Sequence, residues 1–78
     1  MMKKYIATFY SQYGAMEYLE HLIKSGVEAK LAPTPRRVSA SCGVCVVYEA
    51  DACVVTDKFE IEAIYEEAGN AYRCIFEA

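Results

Sequence analysis

The chain has 78 residues, 55% apolar and 24% charged, with a net charge of −3. That composition fits one small globular domain, residues 1–78, with a modest core, and is not that of a disordered chain. The acidic balance, without a basic stripe interleaved with aromatics, argues against a nucleic-acid partner, and no apolar run approaches bilayer-spanning length.

The opening "MMKKYIATFYSQYG" sets two lysines before an apolar run, but the run stops at Ser11 and no cleavage-type segment follows. The expected location is the cytoplasm, where a cysteine is by default a thiol. Residues 4–10, "KYIATFY", are rich in β-branched and aromatic side chains and read as a strand. In residues 12–25 the apolar positions Ala15, Met16, Leu19, Leu22 and Ile23 have helical spacing. Ser11 is the expected N-cap and Gly26 the expected stop.

Residues 27–32, "VEAKLA", alternate as a half-buried strand that Pro33 and Pro35 end. Residues 44–48, "VCVVY", form a third strand, and residues 71–77, "AYRCIFE", a last one. Between these two, Ile61, Ile64, Tyr65 and Ala68 give the apolar face of a second helix that ends at "EEAGN" and starts after Asp51 or Thr56. The order β-α-β-β-α-β predicts an α+β, ferredoxin-like sandwich: a four-stranded antiparallel sheet with both helices on one face. The first strand carries apolar side chains on both faces, so a homodimer through the open face or a strand edge is expected.

The most unusual stretch is "PTPRRVSASCGVC", residues 33–45. Its Cys-x-x-Cys has the spacing of a dithiol redox motif, but it runs into a strand rather than a helix N-terminus. In an extended segment residues three apart lie about 10 Å apart on opposite faces, too far for a disulfide; only a turn at Gly43 would bring the two thiols together. A zinc site would want a second close pair or histidines, and the sole histidine, His21, lies on the first helix. No metal and no cofactor is expected. Cys53 and Cys74, in apolar company, read as small buried thiols.

Cys42 differs: it follows Ser39 and Ser41 and precedes Gly43, which permits a backbone turn presenting N–H groups to an anion. Arg36 and Arg37, close in sequence, would favour a thiolate or bind an anionic group. Cys45 alternates with Val44 and Val46, which makes it a core residue, with a second surface thiol as the other reading.

Thr8-Phe9-Tyr10-Ser11 after the first strand, Pro33-Thr34-Pro35-Arg36, and Ser39-Ala40-Ser41-Cys42-Gly43 before the third strand resemble a family of small bacterial selenium/sulfur carrier-like proteins. The resemblance covers nearly the whole chain. It implies that Cys42 carries sulfur or selenium as a persulfide or selenopersulfide, taken from a donor protein and passed to an acceptor protein, with Arg36 as the matched cation. The segment "EADACVVTDKF" is longer than the family's usual link into the second helix. No acid/base constellation, phosphate loop or cofactor motif points to an enzyme. Two rivals to the carrier remain. One is a regulatory or protein-interaction module whose PTPRR loop binds an anion. The other is a metallochaperone acting through Cys42 and Cys45, which needs both thiols on one exposed loop.

Overall fold

Seven residues of alternating strand, β1 (Lys3–Phe9), organise the molecule. The computed structural model describes residues 2–38, 40–53 and 59–78. After β1 come α1 (Gln12–Lys24), β2 (Glu28–Pro33), β3 (Val44–Ala50), β4 (Ile61–Ala68) and β5 (Ala71–Glu77). The strands form one five-stranded sheet in the order β2-β3-β1-β4-β5, with every neighbouring pair antiparallel.

The helix starts and stops where the sequence says. Ser11 caps it, its Oγ accepting from Gly14 N at 3.2 Å. Gly26, at φ +82°, ends it with the paired bonds of a left-handed terminus, Gly26 N to Ile23 O and Val27 N to Leu22 O. Ala15, Tyr18 and Leu22 are fully buried and pack on Tyr5, Ala7, Phe9, Val46 and Tyr48. Tyr18 lies at the centre, its ring 5.3 Å from Phe9 and 5.8 Å from Tyr48.

The expected four-stranded sheet with two helices is not the fold. Residues 61–68 are a strand, and among the described residues α1 is the one helix. The reason is a β-bulge. Thr8 pairs with Ala63 and Phe9 with Ile61, which leaves Glu62 as an extra residue on β4. That insertion puts Ile61 and Ile64 on the same face although they are three apart, so a strand imitates helical spacing. "Gly-Asn" is not a helix stop but the two-residue turn of the β4–β5 hairpin, with Gly69 at φ +62°.

Residues 51–60 link β3 to β4. At the two described ends of this link, Cys53 and Phe59 pack against the helix-side core. Phe59 lies 5.7 Å from Tyr18 and 5.2 Å from His21, ring to ring. Thr56, one of the two expected helix starts, lies outside the described residues.

On the other face the segment between β2 and β3 takes the place of a covering layer. Thr8, Cys45, Ala63 and Ile6 share that face, and all are buried. Residues 34–38 and 40–43 fold back over it: Val38 is 5% exposed, Arg37 donates to Asn70 O, and Ser41 reaches Glu62.

Candidate functional site

The loop that carries Cys42 is closed at its neck. Thr34 N donates to Gly43 O at 2.9 Å, and Thr34 Oγ1 donates to Cys42 O at 3.1 Å. The two ends of the loop thus meet, as in a short Ω-loop. Pro35 O accepts from Val38 N, a tight turn with Arg36 and Arg37 at its exposed tip and Val38 as its buried foot.

A second tether lies immediately before the cysteine. Ser41 N donates to Glu62 Oε1 and Ser41 Oγ to Glu62 Oε2, each at 2.9 Å. Glu62 can do this because it is the bulge residue, turned out of the normal alternation of β4. The backbone at Cys42 is therefore held on one side by Thr34 and on the other by a carboxylate.

Cys42 itself is half-buried and a free thiol. Cys45 is fully buried on the loop-covered face, its Sγ 3.8 Å from Pro33 O. Burial pushes its thiol pKa up, against a smaller downward pull from Thr34. All four cysteines are free, so Cys42 and Cys45 form no disulfide. The metallochaperone reading needed both thiols on one exposed loop; Cys45 is instead a buried strand residue. Among the described residues no group of three or more His, Cys, Asp or Glu side chains could hold a metal ion.

Cys53 is half-buried beside Tyr48, 3.9 Å from its hydroxyl, and burial raises its pKa. Cys74 departs from its expected burial. It sits exposed on the edge strand β5, where no further strand covers it, with Sγ 3.4 Å from Phe76 O.

The arginines face a different feature. Arg36 and Arg37 line a cavity of about 470 Å³ together with Pro35, Glu67, Asn70 and Tyr72. Arg37 is fixed there by its bond to Asn70 O, whereas Arg36 has no partner among the described residues. Glu67 is neutralised by Lys4, whose Nζ lies 3.7 Å away. Neither arginine has a described hydrogen bond to Cys42. Gly43 is exposed and accepts from Thr34 through its carbonyl, while Ser39 lies outside the described residues. Glu62 and Asn70 are the contributors that sequence reasoning missed. Glu62 was assigned to a helix and Asn70 to that helix's end, and nothing local to either residue points to the loop.

No described helix is long and apolar enough to cross a membrane. No curated protein and no solved structure matches the chain. A protein family does, and the match runs over residues 4–77, so it takes in every strand, the helix and the tethered cysteine loop. The chain belongs to the family described as "Putative Se/S carrier protein-like".

Proposed function

We propose that the protein is a sulfur or selenium carrier that works through Cys42 and is not itself an enzyme. The observation that carries this reading is the double tether, Thr34 on Cys42 O and Glu62 on Ser41, which holds the backbone at the half-buried Cys42 on a surface loop. The family membership supports the same reading.

In the transfer step the Cys42 thiolate attacks the outer sulfur of a donor protein's persulfide. The new S–S bond forms on Cys42, the donor's S–S bond breaks, and the donor leaves as a thiolate. The exchange has no net redox change, and a nucleophile on the acceptor protein removes the outer sulfur by the same chemistry. Selenium would follow the same route as a selenopersulfide. Such a protein needs free thiols, which fits a cytoplasmic location.

The test is intact-mass analysis after incubation with a cysteine desulfurase and cysteine. The wild type gains one sulfur, Cys42→Ser gains none, and Cys74→Ser, lacking the exposed thiol of β5, gains it as the wild type does. Equal loading of Cys42→Ser would refute the assignment.

A second reading is favoured by the cavity beneath the loop tip. There Arg36, without a partner among the described residues, and the fixed Arg37 suit a small oxyanion, which guanidinium groups bind through paired N–H donors. On this reading the protein is a regulatory or interaction module, and phosphate or a dicarboxylate raises its melting temperature equally in wild type and Cys42→Ser. No rise with either anion would remove it.

A further inference from the structure

We propose that two copies of this chain pair antiparallel along the free edge of β2, about a two-fold axis at Ala29, joining their sheets into one. β2 is an outer strand, so one row of its backbone N–H and C=O groups has no ladder partner. Beside that edge, on the helix side, Met16, Leu19, Ile23 and Leu31 wall an apolar groove of about 340 Å³. Met16, Ile23 and Leu31 are 53%, 56% and 37% exposed. An apolar groove beside an unpaired strand edge is what a strand-adding partner covers.

The charges on β2 say which partner. Glu28 and Lys30 lie two residues apart and so share the face opposite the groove. Neither has an ion-pair partner among the described residues. Glu28 in fact stands directly opposite Glu49 of β3, a like-charge pair that costs stability.

A second copy corrects this in one register. Antiparallel pairing of an edge with itself requires an axis normal to the sheet, so faces are kept. Centred on Ala29, it sets Glu28 against Lys30 of the second copy, and Lys30 against its Glu28. Val27 then meets Leu31 of the second copy on the groove side, and the two grooves become neighbours across the axis. Centring on Glu28 or on Lys30 sets like charges against each other, and centring on Leu31 leaves both charges unmatched. A lysine on an edge strand ordinarily discourages pairing; with Glu28 beside it, Lys30 instead selects the register.

Pro33 lies four residues beyond the axis, about 13 Å along the strand. The two Cys42 loops therefore leave the dimer at opposite ends, and each thiol stays independent of the other. The pairing does not depend on what Cys42 carries.

Sedimentation equilibrium at low salt tests the proposal on four full-length chains, each checked for native circular dichroism. The wild type is a concentration-dependent dimer. Glu28→Lys and Lys30→Glu each bring two like-charged pairs to the axis and raise the dissociation constant at least about tenfold. The double variant Glu28→Lys/Lys30→Glu restores opposite charges and returns to within about threefold of wild type. A wild type that stays monomeric up to millimolar concentration overturns the proposal. So do single variants that dimerise like the wild type, or a double variant no tighter than the singles.

Discussion

Replacing Glu62 by alanine tests whether the cysteine loop is held by the sheet. The carboxylate accepts two bonds from Ser41, both 2.9 Å. Ser41 is exposed, so water satisfies its N–H and hydroxyl once the carboxylate is gone, and each bond counts only its net value of about 0.5–1.5 kcal/mol. The expected loss is about 1–3 kcal/mol, which for a chain of this size, at roughly 6 °C per kcal/mol, lowers the melting temperature by about 6–18 °C. The larger effect is local: the Ser41 amide loses its protection against hydrogen exchange, and Cys42 reacts faster with a neutral disulfide reagent. Removing a negative charge could by itself alter the reactivity of a nearby thiol. Glu62→Gln separates the two causes, because it removes the charge and keeps one acceptor oxygen. Tethering predicts Gln midway between wild type and Ala; a charge effect predicts Gln equal to Ala. Unchanged Ser41 exchange in Glu62→Ala, measured by NMR, would refute the tether.

Two further outcomes follow from the core and the hairpin. The Tyr18 hydroxyl is pushed from 10.0 to about 12, chiefly by burial, so the unfolded chain loses this proton first. Its contribution is intact below pH 10 and falls away by about 2–3 kcal/mol as the pH rises toward 12. Urea titrations across that range should give a shallower decline for Tyr18→Phe, the remainder coming from other groups raised in the fold, among them Cys45, Cys53 and Tyr65, which act in the same direction. Gly69→Ala places a Cβ in the left-handed region at φ +62° and should cost about 1–2 kcal/mol in urea unfolding. An unchanged midpoint would show that the turn takes another form.

The first half of the chain was legible because its signals are local. Ser11, Gly26 and the alternation of β2 and β3 each act within a few residues and stand within one or two residues of where they were read, although Met16 and Ile23 of the helix's apolar set are exposed. The second half misled because the bulge at Glu62 breaks the alternation by which a strand is recognised. Ile61 and Ile64 then follow the helical rule for a reason that lies in the partner strand. The same distinction divides the site. The proximity of Thr34 to Cys42 follows from the prolines and glycine that frame the loop. The bond from Ser41 to Glu62 spans 21 residues of sequence, and that from Arg37 to Asn70 spans 33. Such contacts exist only once the register of β4 and β5 is set, and a sequence that hides a strand hides everything the strand touches.

The placement of Cys45 bears on how Cys42 can work. A dithiol relay would release its sulfur by attack of Cys45 on the Cys42 persulfide, leaving a disulfide between them. Cys45 is 0% exposed, points into the layer between the sheet and the loop, and is held protonated by burial. The two Thr34 bonds hold the backbone between the two cysteines closed against the end of β2, which opposes such an approach. A single-thiol carrier needs none of this, because the acceptor protein supplies the second nucleophile. Cys45→Ala should therefore load and pass on sulfur at wild-type rates, while losing about 1–2 kcal/mol of stability from the small cavity left under the loop. Mass analysis of loading, followed by transfer to a small thiol acceptor, reads both steps. Were Cys45→Ala to load normally and then fail to release, or were a disulfide between residues 42 and 45 to accumulate in the wild type during turnover, the loop would be opening in every cycle. The single-thiol mechanism would then be wrong even though Cys42 remained the carrier.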